Sequence, residues 1–394
     1  MTRTSIHEYA AAQRERYHRA SRADKHRILD EVVAVTGYHR KAAIRLLRHR
    51  PRGQPPRPRS GRPRVYGADV ATAAAVLWEA TGEIGAIRLQ PFVPELLERL
   101  ETGGELVLAP KLAAALRRAS AATLKRLLAP ARKSRPPRGR GITRAGTWLK
   151  HQIPIRTFAD WNDAQPGFLE GDLVAHCGDS TQGFYLCTLC TVDIVTSWTE
   201  LEAVWGKGQQ RVGSAVHQVR QRLPMPLLGF DSDTGSEFVN ALFWRYCQRE
   251  GITFTRGRAH KKNDSAHVEQ KNGAIVRRWI GYDRYATKAA YAALTHVYRL
   301  LRLHVNFFQP VQKLVEKVRT GPRVRRVYDQ AQTPYHRLCA SGVLKPEQRE
   351  ALKALYQSLK PLELRRQLDA AVERLWTLAA PTPRGRSTSE EKNP

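Results

Sequence analysis

Residues Pro226-Leu227-Leu228-Gly229-Phe230 form a short apolar run that ends in Asp231-Ser232-Asp233-Thr234-Gly235-Ser236. Such a run reads as a strand whose tip feeds a turn and then a helix, and strand tips are where active sites gather. A second acid, Glu269, follows Asp233 after 35 intervening residues. Asn263 and Asp264 are good helix N-caps, and Val268, Ile275 and Trp279 recur at helical spacing, which puts Glu269 in the first turns of an amphipathic helix. A third acid, Asp172, lies upstream in Leu169-Glu170-Gly171-Asp172-Leu173-Val174-Ala175-His176-Cys177. There Leu169, Leu173, Ala175 and Cys177 alternate with Glu170, Asp172 and His176, so Asp172 occupies the open face of a half-buried strand.

Three separated carboxylates in a basic chain suit divalent-metal chemistry on nucleic acid. Mg²⁺ prefers hard oxygen ligands and keeps water and phosphate oxygens in its other positions. Two such ions can activate an attacking oxygen and stabilise a leaving one at phosphorus. Without a cation, carboxylates brought together repel and one tends to take up a proton. Any one of these acids alone would be an ordinary surface acid at a strand end.

The segments Asp172 to Gly178, Ser232 to Phe238 and Lys262 to Asn272 together resemble the integrase-core transposases of bacterial insertion sequences, relatives of retroviral integrases. The resemblance is strong from about Trp148 to about Tyr285 and looser over most of the rest. It implies a ribonuclease H-like α/β core with a mixed five-stranded sheet and flanking helices. It also implies Asp172, Asp233 and Glu269 as catalytic and metal-binding acids, with Mg²⁺ or Mn²⁺, in two ions, as cofactor. Thr234 stands where such proteins often carry Asn, which touches turn geometry rather than metal binding. Asp231 competes with Asp233, sharing its face about 7 Å away; the family motif and the following Gly favour Asp233. Asp193 resembles a recurrent supporting acid of these cores, and Asp179 reads as a turn residue.

Composition bounds the partners. With 66 basic and 36 acidic residues the chain carries a formal charge of +30, far beyond what solubility needs, and such an excess favours polyanions through phosphate neutralisation and counterion release. At 394 residues two to three domains are expected. No stretch approaches the ~20 apolar residues of a membrane span, and the N-terminus lacks a signal-type apolar core. The expected setting is cytoplasmic and nucleoid-associated, with no membrane contact. Five cysteines, an odd number, fit a reducing compartment. Cys187-Thr188-Leu189-Cys190 lies in a β-like run where cysteines three apart face opposite ways, so packing rather than zinc is expected. For His176 and His267, a DNA-contacting or structural role is preferred over metal ligation.

Seven segments are expected. Residues 1–50 carry a helix from Asp24 to Val35, a turn at Thr36-Gly37 and a basic helix from Tyr38 to Arg48, the pattern of a helix-turn-helix. Arg40, Lys41 and Arg45 are its candidate DNA contacts, although many helical hairpins never touch DNA. Residues 51–66 form a linker; Arg48 to Arg64 holds seven arginines, five prolines and no acid, too polar for a core. Within it Arg62 and Arg64 either enter a narrow minor groove or contact phosphates as a plain basic tether. Residues 67–130 form a second helical DNA-binding unit, with helices at Val70 to Thr81, Arg88 to Leu100, Lys111 to Arg118 and Ala121 to Leu128, the last carrying Lys125 and Arg126. A second basic linker, 131–147, leads to the core, 148–285.

In the core the expected order is the Asp172 strand, two strands from Phe184 to Val204, a helix Gln209 to Arg222, the Asp233 strand, a helix Ser236 to Glu250, a strand Ile252 to Arg256 and the Glu269 helix. This order suits a mixed sheet with helices on its faces. Arg258, Lys261 and Lys262 precede the catalytic helix, and Lys271 and Arg277 extend that basic surface toward DNA. Residues 286–380 form a helical and basic region with a helix from Tyr291 to Val305 and a basic stretch Lys313 to Arg326, and 381–394 form a disordered tail. The resulting expectation is a transposase that binds double-stranded DNA, cleaves 3′ ends and transfers strands into target DNA as a homo-oligomer assembled on DNA. A catalytically silent DNA-binding regulator and a nuclease of the same fold remain the alternatives.

Overall fold

A computed structural model describes residues 2–48, 65–133, 165–233, 235–257, 266–320 and 323–380, distributed over two compact units, 1–64 and 65–394. Most of both linkers, the tail, and Arg62, Arg64, Thr234, Arg258, Lys261 and Lys262 lie outside the described residues.

The first unit contains α1 (Arg3–Arg19), α2 (Arg22–Thr36) and α3 (Arg40–Arg48). Ser21 caps α2 by accepting from the Asp24 amide at 3.3 Å. Gly37 ends it at φ 70° with its amide on the Val33 carbonyl, a left-handed position that favours glycine. Tyr17, Ile28, Leu29, Val32, Ala43 and Leu47 form the shared core. The α2–α3 pair falls where the sequence places it, and α1 is an addition. Only Ile6, Ala10 and Tyr17 of α1 are buried apolar residues, too sparse a set to print a helical period. Lys41 and Arg45 are exposed, whereas Arg40 is paired with Asp30.

In the second unit the helices come first: α4 (Ala68–Ala80), α5 (Ala86–Leu89), α6 (Val93–Thr102), α7 (Pro110–Arg118), α8 (Ala121–Leu127) and α9 (Ala129–Lys133). The single helix expected from Arg88 to Leu100 is instead α5, a 3₁₀ turn Gln90–Phe92 and α6. Pro91 and Pro94 supply no amide to an i−4 bond, so the chain redirects there. Ser120 caps α8 through the Thr123 amide at 3.2 Å, and Lys125 and Arg126 are exposed.

The sheet has order β3-β2-β1-β4-β5, from β1 (Phe168–His176), β2 (Leu186–Asp193), β3 (Thr199–Val204), β4 (Gly229–Ser232) and β5 (Thr253–Arg256). β2 runs antiparallel to both of its neighbours, β1 and β3, and β4 and β5 run parallel to β1. It is thus a mixed five-stranded sheet with flanking helices, as expected. One face packs on α10 (Gln209–Arg222) and α11 (Ala241–Arg249) through Leu169, Leu189, Val216, Phe230 and Phe243. The other packs on α12 (Ala266–Lys271), its π-helical continuation Asn272–Arg277, α13 (Arg278–Ile280) and α14 (Lys288–Phe308), through Val174, Cys190, Val268, Ile275 and Leu301. Each fully buried side chain of this size contributes about 1.5–3 kcal/mol. Cys187 and Cys190 belong to opposite clusters, in keeping with packing rather than shared ligation. The helix expected from Ser236 begins at Ala241, because Asn240 caps it by accepting from Phe243 at 2.9 Å and the preceding residues form a turn.

After α14 the basic stretch is a hairpin, β6 (Leu314–Thr320) and β7 (Arg323–Tyr328), followed by α15 (Pro334–Ala340), α16 (Pro346–Ser358) and α17 (Pro361–Trp376). α17 packs on both α14 and α4. Arg99 of α6 donates to the Tyr356 and Leu359 carbonyls at 2.8 Å each, which joins the helical segment to the C-terminal helices. Among the described residues no helix is long and apolar enough to cross a membrane.

Candidate active site

Two reciprocal contacts set the strands that carry the acids. A Cβ on Gly171 would lie 2.2 Å from the Phe230 ring, and one on Gly229 would lie 2.3 Å from the Phe168 ring. Each strand therefore lays a ring over the other's glycine, one on each face of the sheet, and a register slip would drive a side chain into an aromatic ring. The parallel pairs run from Phe168 opposite Gly229 to Gly171 opposite Ser232. Asp172 and Asp233 are each one residue past the last pair, so they come level, Asp233 just beyond the carboxyl end of β4 and Asp172 midway along β1, where its pairing with β4 stops.

Beneath this outer row sits an inner one. Glu170 is opposite Asp231, two residues back on each strand and on the same face. Both are buried: Glu170 is 0 % and Asp231 1 % exposed, whereas Asp172 is half-buried and Asp233 exposed. Of the two candidates on β4, the surface acid is Asp233; Asp231 accepts from the Thr255 hydroxyl at 2.6 Å.

Glu269, on α12, is exposed. Three residues on, Asn272 donates its Nδ2 to Asp172 Oδ2 at 2.5 Å. Residues three apart share a helix face, so this bond turns the Glu269 side of the helix toward Asp172. Asp172 Oδ1 also accepts from the Leu173 amide at 2.8 Å. Burial, with the charges of Asp233 and Glu269 added, pushes the Asp172 carboxyl up to about 6. Asp233 accepts from the Gly235 amide at 3.0 Å, and the protein mass around it still raises its carboxyl despite its exposure. Glu237 is raised by burial and by Asp233.

Glu170 performs a different task. Its Oε2 accepts from the Val268 amide at 2.9 Å, holding the first turn of α12 against β1. Burial, with Asp231 pushing the same way, raises its carboxyl to about 8, so it carries a proton at neutral pH. Its Oε1 has no hydrogen-bond partner among the described residues.

The donor set Asp172, Asp233 and Glu269 fits a hard divalent cation in its chemistry: Asp172 is raised by burial first and by its acidic neighbours second, and a cation would offset both. Among the described residues no three His, Cys, Asp or Glu side chains close around one metal-sized position. The three acids share a neighbourhood without forming a finished cage.

The other expected residues divide by depth. His176 is fully buried and bonded to Thr188 at 2.6 Å; burial lowers it to about 3, so its role is structural. His267 is half-buried and lowered to about 4, by burial and then by Lys313 and Lys271. Lys271 is half-buried and burial lowers it to about 8. Arg277 donates to the Ala175 carbonyl at 3.0 Å and lies over the Tyr282 ring at 4.8 Å. Asp193 accepts from Gly167 and Thr196 amides at 2.7 Å each, bracing the β2–β3 turn. Sequence reasoning missed the tasks of Glu170 and Asn272. The available signals were the two-residue step from Glu170 to Asp172 and the three-residue step from Glu269 to Asn272.

This arrangement defines an α/β protein with a carboxylate cluster where the parallel pairing of β1 and β4 ends. The chain is 46% identical over 316 residues to the uncharacterized protein y4rM of Sinorhizobium fredii (strain NBRC 101917 / NGR234), a match covering 80% of this chain and 89% of that protein. It belongs to the same family as that protein. No family model matches the chain. Among solved structures, the catalytic core of BIV integrase is similar at 18% identity with a TM-score of 0.28, over 43% of this chain and 91% of that one. The HTLV-2 integrase catalytic core in complex with magnesium, in its dimeric form, is similar at 17% identity with a TM-score of 0.28, over 37% and 90% of the two chains. A simian T-cell lymphotropic virus intasome in complex with PP2A regulatory subunit B56 gamma gives 15% identity and a TM-score of 0.29, over 50% and 66%. Likeness at this level carries nothing about activity, and the site's own geometry has to do so.

Proposed function

We propose that the chain is a metal-dependent polynucleotidyl transferase of the transposase type, which cleaves a phosphodiester at the ends of a DNA element and joins the freed 3′-hydroxyl to target DNA. The observation that carries this reading is the level placement of Asp172 and Asp233 on adjacent parallel strands, with Asn272 bonding the Glu269 helix to Asp172. Asp172, Asp233 and Glu269 would hold divalent cations, Mg²⁺ or Mn²⁺, which supply charge neutralisation and activation of an oxygen nucleophile when bound. The chain's own residues do the positioning. Asn272 orients Asp172, the Gly235 amide orients Asp233, and Glu170 fixes the helix start from below.

The net charge of +30 supports double-stranded DNA as partner. Lys41 and Arg45 on α3 and Lys125 and Arg126 on α8 are exposed cations suited to phosphate contact. Joining two ends to one target calls for a homo-oligomer on DNA. The test is a joining assay with purified protein, Mg²⁺ and the DNA flanking its gene, beside Asp233→Asn. Joined products lost in the variant are expected; cut but unjoined DNA would establish a nuclease instead, and binding without cutting a silent regulator. Mg²⁺ should also raise the thermal midpoint of the wild type by about 2 °C and leave Asp233→Asn unmoved.

A further inference from the structure

The turn between α4 and α5 holds two left-handed residues in succession, Gly82 at φ 70° and Glu83 at φ 62°. The first is explained locally. The Gly82 amide bonds to the Glu79 carbonyl at 2.9 Å and the Glu83 amide to the Trp78 carbonyl at 2.7 Å, the pair of bonds that closes a helix around a left-handed glycine. Glu83 has no such local reason. Glycine would serve a simple chain reversal better, and a glutamate in this conformation persists only where its surroundings over-determine it. Those surroundings are cations from far along the chain. The Glu83 side chain is 8 % exposed, with Oε2 3.3 Å from Arg278 and Oε1 4.0 Å from Arg365. Arg278 also donates to the Glu83 carbonyl at 3.5 Å.

Arg278 is the first residue of α13, directly after the π-helical turn Asn272–Arg277. Single π turns inside helices are rare and concentrate at functional sites. This one is fastened on both sides. At its start Asn272 donates to Asp172 at 2.5 Å, and just past its end Arg278 donates to Glu83 at 3.3 Å. Arg277, its last residue, adds a tie to the Ala175 carbonyl at 3.0 Å. Next in the chain, Trp279 has the Arg365 guanidinium over its ring at 4.8 Å and the His304 ring edge-on at 5.6 Å. A Cβ on Gly82 would meet His304 Nε2 at 2.8 Å and Trp279 Cζ2 at 3.3 Å. The α4–α5 turn is therefore seated directly on the junction that follows the π turn.

We propose that Glu83 is a positioning residue for α12: by holding Arg278 it keeps the π-helical turn in place, and with it the Asn272 bond to Asp172 and the aim of Glu269. The consequence for rate rests on the transposase reading, whereas the hold on the helix does not.

The experiment compares full-length wild type with Glu83→Gly, Glu83→Gln, Arg278→Ala and the double variant Glu83→Gly/Arg278→Ala. Glycine removes the carboxylate while easing the left-handed backbone, so folding is spared. Hydrogen exchange in EDTA, read by mass spectrometry, should show amides 266–277 of Glu83→Gly exchanging about tenfold faster, with α10 unchanged. The joining rate with Mg²⁺ should fall about tenfold while the duplex affinity of that variant stays at the wild-type value. Glutamine keeps an oxygen for Arg278 and should recover most of both losses. The double variant should be no worse than Arg278→Ala, because the two residues act through one contact. Unchanged exchange at 266–277 in folded Glu83→Gly would overturn the assignment. So would faster exchange spread over α10 as well, which marks a general loss of stability, or losses that add in the double variant. If wild type joins nothing while the exchange pattern appears as expected, the transposase reading fails and the hold of Glu83 on the helix stands.

Discussion

The outer pair Asp172 and Asp233 and the inner pair Glu170 and Asp231 use the same functional group, on the same two strands, on the same sheet face, two residues apart. The outer pair has surface access and mutual repulsion; the inner pair is sealed and serves as hydrogen-bond acceptor for Val268 and Thr255. Depth alone separates them. A carboxylate that water and phosphate can reach is available for chemistry, and one that they cannot reach becomes a fastening.

That contrast can be broken or sharpened by substitution. The largest expected effect is on rate: Asp233→Asn or Asp172→Asn should lower joining by at least ~10³-fold, about 4 kcal/mol in activation free energy, with duplex affinity unchanged. Joining that survives either change would dissolve the distinction between the rows. Next comes the register that keeps both rows level. Gly171→Ala sets a methyl against the Phe230 ring and should cost about 3 kcal/mol in urea unfolding, lowering activity only in step with stability.

Glu170→Ala leaves the Val268 amide buried without its acceptor and should cost about 2 kcal/mol. Glu170→Gln, which keeps an acceptor, should restore most of that. If the glutamine variant were instead folded normally but inactive, the inner row would belong to the chemistry. The smallest effect is on pH dependence. The Asp172 carboxyl titrates near 3.8 unfolded and about 6 folded, so between those values the folded chain binds more protons and stability falls as pH rises. Asp172→Asn should therefore be more stable than wild type above pH 6, by about 1 kcal/mol after solvent screening. Melting at pH 4 and pH 7.5 in EDTA reads this, and a gain of equal size at both values would show that ionising the buried Asp172 beside its acidic neighbours carries no such cost.

Much of the architecture is written locally. α10 falls at Gln209–Arg222 as expected, because Val212, Val216 and Val219 print a clear helical stripe between a glycine and an apolar strand. Asp172, Asp233 and the Glu269 helix are likewise visible as strand and helix signals. What was not legible depends on pairing between distant segments. Glu170 looks like any polar residue of an alternating strand until Val268, 98 positions away, donates to it. The hairpin β6–β7 reads only as a basic stretch because neither of its faces is apolar, and half-buried alternation is the signal by which a strand is recognised. Prolines 91 and 94 were present all along in the segment expected to be one helix, where their missing amides outweigh the apolar period around them.

The π-helical turn from Asn272 to Arg277 interposes about one extra residue between two stretches of α-helix. In a continuous α-helix each residue advances the side-chain direction by about 100°. The turn therefore acts as a phase shifter: α12 carries Glu269, the turn's own first residue Asn272 reaches Asp172, and the stretch after it aims Trp279 and Ile280 into the core. Removing one residue there would put the two halves out of phase. The chain could then keep its packing or the aim of Glu269, but not both.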